Sequence, residues 1–169
     1  MTIQIDEITP NIGAEVKGID LANLDEKTFC EIEMAFAKHH VLVFRDQLLS
    51  RDQHKAFGRR FGDIHIHPSK RNGLSDQADK ELFIIDVQPD AKQANGEAWH
   101  ADVTCEEIPP LASLLYVTKV PENGGGDTMF TNMCEAYNEL SQAMKDFLRD
   151  KTAFHDGEID LANYGIRLR

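Results

Sequence analysis

The hydrophobic periodicity of the first 44 residues constrains the fold most, because it changes from a strand pattern to a helix pattern and back. Ile3–Ile8 and Ala14–Ile19 alternate apolar and polar residues on either side of a turn, which predicts two short strands. Residues 25–38 repeat apolar side chains at steps of three and four after an N-capping aspartate, which predicts an amphipathic helix. Val41–Phe44 is apolar on both faces, which predicts a buried central strand.

The rest of the chain continues this mixture of patterns. A second helix is predicted from Ser50, whose capping box is completed by Gln53, to the neighbourhood of Gly62. A third helix is predicted to begin at the N-cap Asn132 and to carry one apolar face as far as Leu148. Further strands are predicted at three apolar stretches: 82–87, 111–120 and 128–131. Strand patterns therefore outnumber helix patterns, which favours a β-rich α+β chain.

Size and charge exclude several classes of function. A chain of 169 residues is the size of one domain, so 1–169 is predicted to be a single domain. The net charge of −11 makes nucleic acid and anionic membrane unsuitable partners, since both require a positive surface. The N-terminus lacks the basic start and apolar stretch of a signal peptide, and no run of about 18 apolar residues is present. The three cysteines are odd in number and have no CxxC spacing, as is typical of reduced thiols. Together these features predict a cytoplasmic protein.

The stretch from Asn95 to Cys105 carries the strongest chemical signal. It places His100 and Asp102 two residues apart, beside a tryptophan. In an extended segment these two side chains point to the same face, so an imidazole nitrogen and a carboxylate oxygen can converge on one point. Such a pair is two-thirds of the 2-His-1-carboxylate triad that holds non-haem Fe(II). Taken alone, a His-x-Asp pair also fits an ordinary packed or surface position.

Two other patterns offer competing sites. His65 and His67 alternate with isoleucines, so two imidazoles on one strand face could bind zinc or iron in a cupin-like barrel. The three glycines at 124–126 could suggest a phosphate-binding loop, but they follow a proline turn, lack a lysine and open no helix. For the glycines, a tight hairpin is the favoured interpretation.

The combination of these segments resembles a known family. His67-Pro68, the Trp99–Thr104 segment, Pro109-Pro110 and the Gly-rich turn before Thr128 follow one another in the order found in the taurine dioxygenase-like family of Fe(II)- and 2-oxoglutarate-dependent dioxygenases. The similarity runs from the N-terminal strands to the helix after Thr128. The resemblance implies a double-stranded β-helix (jelly roll) with flanking helices, with Fe(II) as cofactor and 2-oxoglutarate as co-substrate.

The resemblance also implies roles for individual residues. His100 and Asp102 match two iron ligands, and Thr128 matches a threonine that binds a carboxylate of 2-oxoglutarate. The primary substrate would be contacted by three positions: His67, Asn95 and Val103. The sequence departs from taurine dioxygenase at Lys70 and Cys105, which alters the sulfonate pocket on two sides.

The largest departure concerns the end of the jelly roll. The family's second iron-binding histidine and its 2-oxoglutarate-binding arginine lie far downstream of the first ligands, and the last histidine here is His155, which matches a non-ligand position. We therefore expect the fold to be incomplete at the C-terminus and the third iron ligand to lie outside these residues. By this interpretation the 169-residue chain is by itself inactive.

The resemblance implies hydroxylation of a small, anionic organic substrate by O2, with release of succinate and CO2. The alternative is a catalytically inactive protein that uses the same scaffold to bind a small acid or to assemble. In that case a second copy would cover the apolar edge strands and make the protein a homo-oligomer.

Overall fold

The computed structural model describes residues 3–67, 79–88, 98–122 and 124–157. They fall into two compact units, one drawn from Met1–Gln53 and Tyr116–Thr152 and the other from His54–Leu115 and Ala153–Arg169. No helix among the described residues is long and apolar enough to cross a membrane. A single domain over residues 1–169 stays a prediction.

A three-stranded sheet organises the first unit, in the order β1, β2, β3. β1 (Gln4–Glu7) is antiparallel to β2 (Ala14–Lys17), and β2 is parallel to β3 (Leu42–Val43). The two predicted N-terminal strands are therefore confirmed. The strand predicted within Val41–Phe44 is confirmed at Leu42–Val43, but its predicted buried, central position is wrong, because these residues are half-buried and β3 lies at the edge of the described sheet.

The turn between β1 and β2 depends on glycine at position 13. The backbone N–H of Ile8 donates to the Gly13 carbonyl at 2.9 Å, and Gly13 has a φ of +88°. Residues that carry a Cβ rarely adopt this left-handed backbone conformation, so replacing Gly13 with any of them would strain the turn. The hairpin register that aligns Glu7 with Ala14 follows from this turn.

Helix α1 (Glu26–His39) supplies the core of the first unit and confirms the predicted helix at residues 25–38. The Asp25 side chain accepts a hydrogen bond from the Thr28 N–H at 2.7 Å, which caps the first turn. Ile32 is fully buried, and complete burial of such a side chain contributes about 1.5–3 kcal/mol. The other core residues of this unit come from the helix, the sheet and the short 3-10 helix Leu21–Asn23: Ile3, Ala14, Val16, Leu21, Phe29 and Ala35.

Helix α2 (Arg51–Arg59) begins with the predicted capping box. The Ser50 N–H donates to the Gln53 side-chain oxygen at 2.8 Å, and the Gln53 N–H donates to the Ser50 hydroxyl oxygen at 3.2 Å. The helix unwinds through a turn that closes where the Gly62 N–H donates to the Arg59 carbonyl at 3.3 Å. The predicted bounds of this helix are confirmed.

Ion pairs attach the segment after residue 78 to helix α2. Lys55, whose side chain is only 13% exposed, lies 2.8 Å from an Asp79 carboxylate oxygen, and Arg59 lies 2.6 Å from Glu81. The following apolar stretch, 82–87, carries no strand in the structure, so that prediction is wrong. A strand forms only where a second segment runs beside it with the matching backbone geometry, and apolar composition alone does not ensure that geometry.

The apolar stretches 111–120 and 128–131 were also predicted to be strands, and neither forms a paired strand among the described residues. Side-chain burial nevertheless alternates from Leu111 to Tyr116, as in an extended segment with one covered face. Between the two apolar stretches, the Gly124 N–H donates to the Pro121 carbonyl at 3.1 Å, which closes the predicted tight turn. The hairpin expected around that turn is not formed in the described part of the chain.

The helix predicted from Asn132 to Leu148 is two helices, α3 (Met133–Asn138) and α4 (Gln142–Leu148). The Asn132 side chain caps α3 as predicted, but Ser141 caps a new helix by accepting from the Met144 N–H at 3.2 Å. A serine competes in this way for backbone donors, which explains the break. The described residues thus hold a small mixed sheet and more helix than strand, so the predicted excess of strands is wrong for them.

Candidate metal centre

His100 and Asp102 converge on one point in the second unit. The His100 Nε2 atom lies 3.2 Å from the Asp102 Oδ1 atom, and both side chains are about half exposed to solvent. Asp102 begins a turn, so convergence does not arise from the extended geometry that the sequence suggested. Val103, the next residue, has a left-handed φ of +52°. The turn thus brings the pair together over a short stretch of backbone.

The other ring nitrogen of His100 is occupied. His100 Nδ1 lies 2.8 Å from the Ala98 carbonyl oxygen, so an N–H at this position donates to the backbone. That contact leaves Nε2, the nitrogen beside Asp102, as the ring atom that a metal could bind. Metal-binding histidines are commonly held in this way by a carbonyl acceptor on their second nitrogen.

The second carboxylate oxygen of Asp102 also has a partner. The Ser113 hydroxyl donates a hydrogen bond to Asp102 Oδ2. Each side chain of the pair is therefore held through its outer atom, and the inner atoms, His100 Nε2 and Asp102 Oδ1, face one another. This is the arrangement expected of a preorganised ligand pair.

Further contacts fix the turn that carries Asp102. The Glu106 N–H donates to the Val103 carbonyl at 3.2 Å. His155 Nδ1 lies 2.9 Å from the Thr104 hydroxyl oxygen, and His65 Nε2 lies 3.6 Å from a Glu106 carboxylate oxygen. Contacts from distant parts of the second unit therefore hold the turn in place.

The geometry fits two ligands of an octahedral Fe(II) site. Adjacent ligands of an octahedral ion with bonds of about 2.1 Å lie about 3 Å apart, close to the 3.2 Å between His100 Nε2 and Asp102 Oδ1. The described ranges contain no group of three or more histidine, cysteine, aspartate or glutamate side chains arranged to hold a metal. A 2-His-1-carboxylate triad needs one more histidine than this pair supplies.

In the structure, the two histidines of the competing His65-x-His67 site have different neighbours. His65 lies beside Glu106, whereas the His67 ring lies 4.8 Å from the Phe83 ring, centroid to centroid. No metal-binding group among the described residues includes these two imidazoles. The contacts of the two side chains therefore do not favour a shared metal site.

The other candidate residues occupy different places. Val103 lies within the turn that carries Asp102, and His67 lies in the same unit beside Phe83. Thr128 is exposed and belongs to the first unit, after the tight turn closed by Gly124. Asn95 and Lys70 lie outside the described residues.

The contacts of Ser113 and His155 were not predicted. Ser113 follows Asp102 by 11 residues, and His155 follows Thr104 by 51. At these separations neither helical nor strand periodicity relates the partners, so no local pattern could have identified them. A hydroxyl residue within a mostly apolar segment was the only available signal at Ser113.

Comparison with known proteins identifies a family and several relatives that this chain resembles. The family model for taurine catabolism dioxygenase TauD, TfdA family, matches residues 4–163. An alpha-ketoglutarate-dependent sulfonate dioxygenase of Saccharomyces cerevisiae is 32% identical over 172 residues, covering 95% of this chain and 41% of its own length. An alpha-ketoglutarate-dependent sulfate ester dioxygenase of Pseudomonas putida is 30% identical, covering 96% of this chain and 52% of its own length.

Structural comparison gives the same result. The crystal structure of a taurine dioxygenase from Burkholderia xenovorans superposes with a TM-score of 0.67 at 29% identity, covering 88% of this chain and 52% of that one. The chain spans about half the length of the relatives it matches. Because the family model covers nearly the whole chain, this protein belongs to the taurine catabolism dioxygenase TauD, TfdA family.

Proposed function

We propose that this chain forms part of an Fe(II)- and 2-oxoglutarate-dependent dioxygenase that hydroxylates a small anionic organic substrate. The observation that carries the proposal is the convergence of His100 Nε2 and Asp102 Oδ1 at 3.2 Å in a chain of this family. The hydrogen bonds on their outer atoms support it, because they hold both ligands ready before metal arrives.

In this proposal His100 and Asp102 are two iron ligands, and the third is a histidine outside the described residues. Thr128 donates its hydroxyl to a carboxylate of 2-oxoglutarate, whose other partner is an arginine that also lies outside them. When bound, the iron and 2-oxoglutarate supply the oxidising chemistry: O2 is consumed, 2-oxoglutarate becomes succinate and CO2, and the substrate gains a hydroxyl group. The protein contributes orientation and the exclusion of water.

We infer that the complete fold is a jelly roll. The alternating burial of residues 111–116 supports this, since it is the pattern of a strand with one covered face. The exposed apolar side chains of that stretch, Leu111 at 73% and Leu115 at 66%, are typical of a sheet surface awaiting a second layer. In the proposed fold, strands outside the described residues provide that layer.

The substrate is proposed to be small and anionic. Both named relatives act on such compounds, one on sulfonates and one on sulfate esters. In this proposal His67, Asn95 and Val103 line the substrate site, and Lys70 supplies a cation near the anionic group. Of these, Val103 directly follows the proposed iron ligand Asp102, which supports its assignment to the substrate site.

The proposal is tested by anaerobic titration of the complete natural protein with Fe(II) in the presence of 2-oxoglutarate. A chelated complex gives a visible charge-transfer band, and admission of O2 with a panel of sulfonates and sulfate esters is expected to release succinate. His100→Ala removes a ligand, so both the band and succinate release should fall to background. His40→Ala, at an exposed histidine in the first unit, is the matched control and should leave both unchanged.

Two outcomes would contradict the proposal. One is a band that His100→Ala leaves intact, which would place iron elsewhere. The other is 2-oxoglutarate binding without any iron-dependent succinate release, which would favour the inactive acid-binding protein. Since the third ligand is expected outside these residues, the 169-residue chain by itself should give no band.

A further inference from the structure

The two oxygens of the Asp102 carboxylate are not equivalent, and Ser113 makes the difference. Oδ1 lies 3.2 Å from His100 Nε2, whereas Oδ2 accepts the Ser113 hydroxyl hydrogen bond. We propose that Ser113 is a positioning residue that restricts Asp102 to binding metal through Oδ1 alone. The proposal rests on the iron site proposed above.

The hydrogen bond matters because a free carboxylate can bind a divalent ion through one oxygen or both. Binding through both would occupy an extra coordination position, and a facial-triad site needs its open positions for the co-substrate and O2. With Oδ2 engaged by Ser113, chelation through both oxygens would first have to break that hydrogen bond. Single-oxygen binding is therefore favoured.

The Ser113 hydroxyl also limits rotation of the solvent-exposed Asp102 carboxylate. The Asp102 side chain is half exposed, so its two oxygens would exchange places freely in the absence of a fixed donor. A hydrogen bond to a charged carboxylate is stronger than one between neutral groups, so it favours one orientation. Ser113 thus selects the orientation in which Oδ1 faces His100.

Helix α2 in turn fixes the position of Ser113. Its neighbour Leu114 forms a backbone hydrogen bond with the His54 side chain. A Cβ added to Gly58 would lie 4.0 Å from Leu114 Cδ2, so the leucine packs close to the helix backbone. The half-buried Leu114 points one way and the exposed Ser113 the other, as successive residues do in an extended segment. The donor to Asp102 is therefore attached to a rigid element.

The test compares Ser113→Ala with wild type in the complete natural protein. Mn(II) affinity, measured by electron paramagnetic resonance with 2-oxoglutarate present, is expected to fall about tenfold, the lower end of the usual effect of losing a ligand's hydrogen-bond partner. Co(II) absorption gives a second readout, since an added carboxylate oxygen changes the coordination number and the band intensity. The unfolding midpoint of the metal-free protein is measured in parallel.

Matched variants separate positioning from general damage. Ser113→Thr keeps the hydroxyl and adds a methyl group at an exposed position, so it should restore wild-type affinity and spectrum. Thr118→Val removes an exposed hydroxyl from the same apolar stretch and should change neither. Metal-free stability should be nearly equal in all four proteins.

The inference is overturned if Ser113→Ala binds Mn(II) as tightly as wild type with an unchanged Co(II) spectrum, an outcome that leaves the proposed function intact. It is also overturned if Ser113→Thr fails to restore affinity, because the effect would then be one of packing. A wild-type protein that binds no divalent metal would instead overturn the proposed function, and this inference with it.

Discussion

At the scale of single residues, the site depends on which atom of each side chain is already engaged. His100 has its Nδ1 on the Ala98 carbonyl, and Asp102 has its Oδ2 on Ser113. The remaining two atoms, His100 Nε2 and Asp102 Oδ1, lie 3.2 Å apart and are the two that a metal would bind. Two residues outside the site, His40 and Gln47, show the same dependence of local structure on individual contacts.

His40 ends helix α1 in a conformation that suits glycine. Its φ is +64°, and its N–H donates to the Phe36 carbonyl at 2.8 Å. A side chain in this left-handed region costs roughly 1–2 kcal/mol, which glycine avoids. His40→Gly should therefore raise the free energy of unfolding by about 1 kcal/mol in urea titrations. His40→Ala keeps the strain and should give no such gain; an equal gain would refute the strain argument.

Gln47 joins three backbone groups of the first unit. Its side-chain oxygen accepts from the Leu21 N–H at 2.9 Å, and its amide nitrogen donates to the carbonyls of Ile19 and Arg45 at 3.3 and 3.0 Å. Gln47→Leu would leave these part-buried groups without their partner, at a cost of about 1–3 kcal/mol.

The matched control for this change is Gln88→Leu. Gln88 is exposed and its side chain bonds only two residues away, to Asp86. Urea unfolding should show a lower midpoint for Gln47→Leu and an unchanged midpoint for Gln88→Leu. Equal midpoints for the two variants would show that the Gln47 contacts contribute little.

At the scale of elements, helix ends were predictable and strand pairing was not. Asp25, Ser50 and Asn132 cap their helices as predicted, because a cap depends on residues within one turn. The stretches 82–87 and 111–120 are not strands in the described structure, because strand formation depends on segments that are distant along the chain. Ser141 broke a helix that its apolar periodicity alone would have continued.

His54, in helix α2, should make the free energy of unfolding depend on pH. Burial lowers the pKa of His54 below its ordinary value of 6.5, and the hydrogen bond with the Leu114 backbone opposes this only in part. Below about pH 6.5 the unfolded chain therefore binds a proton that the folded chain does not, so the free energy of unfolding falls as the pH drops. At higher pH this contribution is fully present.

His54→Gln should flatten that dependence. Unfolding free energies of wild type and variant are compared between pH 5 and pH 8, a window of about 1.5 units on either side of the ordinary histidine value. The exposed His40→Gln serves as control and should keep the wild-type slope. If His54→Gln keeps it as well, burial of His54 does not couple to folding.

At the scale of the whole molecule, the chain has the composition of a folded protein but leaves much apolar surface uncovered. Trp99, Leu111, Leu115 and Phe147 are each more than 60% exposed among the described residues. Patches of this kind mark surfaces that another part of a protein or a partner covers. The proposed jelly roll accounts for them, since its second sheet would lie over the exposed faces.

By itself, the sequence determined the hairpin at the N-terminus, helices α1 and α2, the family and the choice of His100 and Asp102 as the candidate pair. Each follows from residues that are close along the chain or from a fixed order of segments. Only the tertiary structure decided which atoms of His100 and Asp102 are free, because that choice depends on Ser113, 11 residues from Asp102. Periodicity specifies faces and ends, whereas the orientation of a carboxylate depends on a donor that folding brings to it.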